Sequence, residues 1–202
     1  MNIFKKFIKA FDHEKLYIRL FSLFHFGLIL FFLSWIIGYY LLPEGVLQNI
    51  RIINYLTRDL LLLESAQEYI YYAVFYIGVF GFILLGNFIM KVKYFSYGYL
   101  IPLAWMVLYG LTVGTNSFAV PMEMAMAPSL AIVSQPGLYE IMAASIMAVS
   151  TYDINIYYAE SLTASSDRLP AESRPELNST HKRGIIAAFL VLLIVNLIDV
   201  LI

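Results

Sequence analysis

The sequence predicts an all-α integral membrane bundle of five transmembrane helices, and three observations predict it. Five apolar stretches, at 21–42, 69–90, 98–120, 137–158 and 184–202, are each long enough to cross a bilayer. A helix rises about 1.5 Å per residue, so about 20 apolar residues cover a hydrocarbon core of about 30 Å. Composition agrees: 61% of the 202 residues are hydrophobic and 13% are charged, against about 25% charged in a soluble domain, and mean hydropathy is +0.76. The third observation is where the charge lies. Lys5, Lys6, Lys9, Lys15 and Arg19 precede the first stretch, Arg51 and Arg58 follow it, and Lys91 and Lys93 follow the second. No basic residue separates the third and fourth, whereas Arg168, Arg174, Lys182 and Arg183 separate the fourth and fifth. Alternate sides therefore carry eleven and two basic residues. Basic loops stay cytoplasmic, so the N-terminus, 91–97 and 159–183 are expected inside the cell and the C-terminus outside.

A chain of this length fits one compact bundle, a single transmembrane domain over 1–202. The net charge of −1 offers nothing to nucleic acid. With no cysteine, disulfides, thiolate metal sites and thiol catalysis are excluded. The basic N-terminus leads into a full-length span with no small-residue cleavage site, so no cleavable signal peptide is expected.

Taken in order, residues 3–17 place Phe4, Phe7, Ile8 and Phe11 on one helical face and Lys5, Lys6 and Lys9 on the other. That pattern predicts an amphipathic helix at the cytoplasmic interface, an anchor of topology or a docking element. The first span carries His25, expected to face the bundle rather than to ligate a metal. Leu47, Ile50, Ile53, Leu56 and Leu60 recur at helical spacing beside Arg51, Arg58, Asp59 and Glu64, predicting a second interfacial helix over 45–66, on the outer side. In the second span Gly78, Gly81 and Gly86 permit close approach of neighbours, and Asn87 near its end is placed to hydrogen-bond across helices. The third span carries the Gly110 and Gly114 pair, a four-residue spacing of small residues that suits helix contact, with Asn116 at its end; Ala144 and Ala148 do the same in the fourth.

The segment 121–136 is bounded by prolines and apolar apart from Glu123. Such backbone suits a re-entrant or interfacial path covered by protein. Met122, Met124 and Met126 alternate within it. Thioethers are soft ligands for Cu(I), but methionine is also a common apolar filler, and no histidine lies nearby. Residues 161–183 are the one long polar segment and read as a cytoplasmic loop. There Asn178-Ser179-Thr180 matches a glycosylation acceptor that the expected topology hides.

Ionisable groups at membrane depth are expensive and need a partner or a role. Four stand out: His25, Glu140, Asp153 and Asp199. Glu140 falls about one turn below the outer surface, and Asp199 roughly 22 Å above the inner end of the last span, so the two share a level. Two carboxyls in contact there would share a proton; the alternative is that each reaches interfacial water. No metalloprotease helix, nucleophile elbow, phosphate loop or paired-histidine arrangement is present, and no enzymatic activity, cofactor or resident metal is expected.

Pro136-Gly137-Leu138-Tyr139-Glu140-Ile141-Met142-Ala143-Ala144 resembles the signature of the stage II sporulation protein M family of membrane proteins, in which a His-Gly pair precedes two apolar residues, a Glu and a small-residue helix. Asn87 falls where that family closes its second span with Asn. Tyr109-Gly110 with Gly114 is similar to its Asn-Gly and trailing Gly, and the stretch ending in Asp199 to its closing helix. Pro136 stands for the family's histidine, Tyr109 for an asparagine and Asp199 for a glutamate. The resemblance covers about residues 75–202. It implies a five-span layout and a scaffold that recruits cell-wall-remodelling enzymes during engulfment of the forespore.

The expected function is accordingly a non-enzymatic, multi-pass scaffold or accessory subunit in the cell membrane, with other integral membrane proteins and the lipid bilayer as its partners. A transport or permease-like subunit using Glu140 and Asp199 is the first alternative, and it predicts a polar cavity between the last two spans. A copper-associated accessory subunit of a membrane metalloenzyme, using the three methionines, is the second.

Overall fold

The computed structural model describes residues 3–48, 65–118, 121–170, 172 and 176–201, with backbone alone at 3–6, 65–69, 71–72, 134 and 199–201. Among the described residues there are six α-helices: α1 (Ile3–Ala10), α2 (Leu16–Leu41), α3 (Ser65–Ile89), α4 (Leu100–Gly114), α5 (Pro136–Ser150) and α6 (Ser179–Leu201). A one-turn 3-10 segment, Tyr97–Tyr99, leads into α4, and another, Leu130–Ser134, precedes α5.

Among the described residues, three helical stretches are long and apolar enough to cross a membrane: Leu16–Leu41, Tyr97–Gly114 and Ser179–Ile198. A shorter apolar helical run covers Ala73–Ile89. Five full spans are therefore not what the structure describes. The largest departure is the fourth stretch, expected over 137–158. Its helix stops at Ser150, and 15 residues reach only about 22 Å. Thr151 ends it by turning its hydroxyl back onto the Met147 carbonyl at 2.8 Å. Most of α5 is buried, including Glu140, Ile141, Ala143, Ala144, Met147 and Ala148 at 0% exposure. It is the central post of the bundle, wrapped by protein rather than by lipid.

Around it, α2 and α4 make the tightest crossing. The buried face of α2 runs Ser22, Leu23, Gly27, Phe31, Ser34, Trp35 and Gly38, the spacing of one helical stripe. A Cβ added at Gly110 would run into the Phe31 carbonyl, and one at Gly114 would lie 2.5 Å from the Trp35 carbonyl. Backbones approach this closely only over glycine. Gly38 returns the contact from the α2 side, facing the Gly114 backbone. At the crossing of α5 and α6, Gly184 instead makes room for the Ser150 side chain.

The all-α expectation also needs correction, because a small four-stranded sheet caps one end. Its strands are β1 (Met90–Val92), β2 (Phe95–Ser96), β3 (Tyr157–Ala159) and β4 (Asp167–Arg168), in the order β2-β1-β3-β4. β1 and β2 form a hairpin, turned at Lys93 with φ 51°. β3 lies parallel to β1, pairing Met90 with Tyr157 and Val92 with Ala159, and β4 closes antiparallel on β3. The segments after α3 and α5 satisfy each other's backbone groups in this way.

The N-terminal helix is shorter than the 3–17 expected, ending at Ala10. Phe11 then inserts into the bundle end, in ring contact with Phe26 at 5.8 Å and Phe95 at 6.2 Å. The N-terminus, the β1–β2 hairpin and the β3–β4 segment thus meet at one end, which groups the segments expected on one side of the membrane. At the other end Gly45 N–H donates to the Thr115 carbonyl at 2.6 Å, and Leu47 N–H to Ser117 Oγ at 3.0 Å. Most of the outer helix expected over 45–66 lies outside the described residues; its start, through Gln48, is turn rather than helix.

Candidate functional site at the capped end

The capped end holds a compact cluster of charge. Arg19, one turn into α2, is 2% exposed. Its Nη1 donates to Asp153 Oδ2 at 2.9 Å, and its Nη2 lies 2.8 Å from His181 Nε2. A guanidinium only donates. His181 Nε2 therefore accepts, and the imidazole is neutral with its proton on Nδ1. That Nδ1–H is buried without a hydrogen-bond partner among the described residues, a situation that costs about 1–3 kcal/mol. Asp153 Oδ2 is also within 3.7 Å of His181 Nε2.

A second layer closes over the first. Lys91 in β1 donates to Asp12 Oδ1 at 2.9 Å and lies 3.6 Å from Asp153 Oδ1. Tyr152 donates its hydroxyl to Asp12 Oδ1 at 2.9 Å. Its ring carries both cations, with Lys91 Nζ 4.1 Å and the Arg19 guanidinium 4.9 Å from the centroid. Tyr99 stacks on Tyr152 at 5.1 Å and donates to the Phe11 carbonyl at 3.0 Å. Two cations and two carboxylates balance. Such closure compensates buried charge, which is otherwise very costly. The cluster ties the α1–α2 corner, α2, the hairpin, the end of α5 and the start of α6 to one another.

Beside it opens a cleft of about 500 Å³, lined by Glu14, Lys15, Leu16, Tyr17, Asn178, Thr180 and His181. One wall is the α1–α2 corner and the other the first turn of α6. Asn178 caps that helix, its Oδ1 accepting from the His181 backbone N–H at 3.0 Å.

The sequence-predicted residues scatter. Asp153 belongs to the cluster, just past α5 rather than within a span. Asn87 ends α3 fully buried, donating to the Ala148 carbonyl at 2.8 Å and to Thr151 Oγ1 at 2.7 Å, so it ties α3 to α5. His25 was expected to face the bundle and does not: it is exposed, and its Nδ1 donates to the Phe21 carbonyl of its own helix at 2.8 Å. An outward imidazole is satisfied by the backbone four residues back. Asn116, at φ 49°, joins loops rather than helices, through Glu44 Oε1 at 2.6 Å and the Met122 backbone.

Glu140 is wholly buried in α5. Helices α5 and α6 run antiparallel, and the backbone of Asp199 lies toward the same end as Glu140. The groove between the helices there, about 320 Å³, is lined by Pro136, Tyr139, Val191, Ile194, Val195 and Ile198. It is apolar, unlike the cavity a carboxylate-based permeation path calls for. The three methionines sit in different settings. Met122 is held through its backbone, Met124 is 79% exposed, and Met126 packs on the core while its carbonyl accepts from Trp35 Nε1 at 2.8 Å. Among the described residues no group of three or more His, Asp or Glu side chains is arranged to hold a metal ion.

Arg19, Lys91, Asp12, Tyr152 and His181 were not legible as a site, because charges flanking apolar stretches read first as topology signals. Arg19 carried the available clue. It stands a turn inside a helix whose next 22 residues are uncharged apart from His25. Comparison with protein-family models, with curated proteins and with solved structures found no match.

Proposed function

We propose that this chain is a multi-pass membrane protein without chemistry of its own, acting as a scaffold or accessory subunit of a larger complex in the cell membrane. The observation that carries this reading is on α3. Gly86 is used inside the chain, 2.8 Å from the Gly98 backbone when a Cβ is added, whereas among the described residues a Cβ at Gly78 or Gly81 meets nothing within 4 Å. Each interior glycine destabilises a helix by about 1 kcal/mol relative to alanine. Two of them on one face, flanked by the exposed Val74, Ile77, Phe82 and Leu85, suit close approach of a helix from another membrane protein. The charge cluster supports the same reading, since its groups bind one another and hold the fold together. The likeness of 136–144 to the stage II sporulation protein M family adds a class of partner, enzymes that remodel the cell wall.

Purification from native membranes in mild detergent, with mass spectrometry of whatever co-purifies, tests the proposal. A stoichiometric set of membrane subunits, unchanged by Glu140→Gln and Asp199→Asn, is the expected result. Recovery of the chain alone contradicts it. The permease reading is favoured by the full burial of Glu140, and it predicts that those two substitutions abolish a transport activity while the assembly survives.

A further inference from the structure

We infer that the Arg19–His181 hydrogen bond is a proton-operated clasp across the cleft between the α1–α2 corner and the start of α6. The bond joins the two walls directly, from Arg19 on α2 to His181 on α6, at 2.8 Å. It exists only while Nε2 carries a lone pair, because the guanidinium has nothing but donors to offer. A proton on Nε2 turns the contact into two donors and two positive charges held together at a buried site, where charges interact strongly. The acceptor that remains is Asp153 Oδ2, 3.7 Å away and already bound to Arg19 Nη1 at 2.9 Å. One proton therefore sets His181 and Arg19 in competition for the same carboxylate oxygen, and Arg19 loses its hold on α6.

The surroundings sharpen this competition. From β1, Lys91 engages the other oxygen of Asp153 at 3.6 Å and is itself held by Asp12 from the α1–α2 corner at 2.9 Å. Tyr152 faces both cations from the end of α5, with Tyr99 behind it. Glu14 and Lys15 stand on the opposite wall of the cleft, and Lys182 and Arg183 follow His181 on its own helix. Among the described residues, Asp153 is the one carboxylate within 4 Å of His181. Beside that bond, Leu16 approaches Gly184, its Cδ1 lying 3.1 Å from the position of an added Cβ. Histidine is the side chain whose charge ordinarily changes nearest neutral pH, so in this set it is the group that a fall in pH addresses. Acidification then widens the cleft and frees the first turn of α6, while the sheet and the α2–α4 crossing stay in place.

The cysteine-free chain allows a direct test. Spin labels on Tyr17→Cys and Thr180→Cys, both exposed on opposite walls, report the distance across the cleft in the full-length protein. Between about pH 7.5 and about pH 5 the distance distribution is expected to move to longer values in the His181 protein. It is expected to remain fixed in His181→Gln, whose amide oxygen accepts from Arg19 without titrating; His181→Asn provides the same arm if the glutamine variant misfolds. An unchanged distribution in the His181 protein overturns the inference, as does the same shift in either variant. Ring-nitrogen NMR near neutral pH showing the proton on Nε2 overturns it as well.

Discussion

Arg19 illustrates how a residue counted as a surface charge becomes a structural one. It is fully surrounded, donates to Asp153 and His181, and lies over the Tyr152 ring. Removing it leaves Asp153 leaning on Lys91 alone and His181 Nε2 without its donor. Breaking a buried pair from one side costs about 3–5 kcal/mol; Asp153 keeps 25% of its side chain exposed and a second cation nearby, so Arg19→Met is expected at the lower end, about 3 kcal/mol. Thermal unfolding in detergent measures it, and a midpoint equal to that of the parent protein contradicts the assignment. Lys91→Met removes a donor with 14% of its side chain exposed and is expected to cost less.

At the level of elements, the glycines divide by what they meet. Gly98 lies under the Asn87 carboxamide, and an added Cβ there collides with Asn87 Oδ1 and approaches the Ile83 carbonyl at 2.6 Å. Gly98→Ala must push Asn87 off Ala148 and Thr151, so a loss of about 1–3 kcal/mol is expected. Gly78→Ala meets no atom of the described residues within 4 Å and gains up to about 1 kcal/mol of helix propensity. Opposite signs for these two substitutions, read as shifts in unfolding temperature, support the helix contacts described; the same sign contradicts them. This is also the scale at which the sequence was read least completely. Apolar length located the long helices of the described residues, because lipid and core demand the same side chains. It overran α5 by eight residues, because Ile154, Ile156, Tyr157 and Tyr158 are apolar enough to extend a span although they lead into and form a strand. Strands of two or three residues carry no period to detect, and pairing between 90–92 and 157–159 is not visible from either segment alone.

For the whole molecule, the alternation of basic residues predicts which side of the membrane each segment faces, and the structure shows which segments are neighbours. The N-terminal corner, the hairpin and the β3–β4 segment do meet at one end, and the segments 43–48, 115–118 and 121–126 meet at the other. What the alternation could not supply was the reason the basic end holds together, since Asp12, Asp153 and His181 draw two of its cations, Arg19 and Lys91, inward. If the two ends lie on opposite sides of a membrane, single cysteines report it cleanly in a chain that has none. Ser165→Cys, exposed near the sheet, is expected to react with an impermeant reagent only from the cytoplasmic face, and Met124→Cys, 79% exposed at the other end, only from outside. Labelling of both from one face contradicts the arrangement. The remaining claim is that α3 presents its empty glycine face to a partner helix. It is tested most directly by Gly78→Leu together with Gly81→Leu, followed by native-state mass measurement of the complex in mild detergent. The account predicts that the chain stays folded, with its unfolding temperature kept, while the co-purifying subunits are lost. A complex of undiminished mass would contradict it.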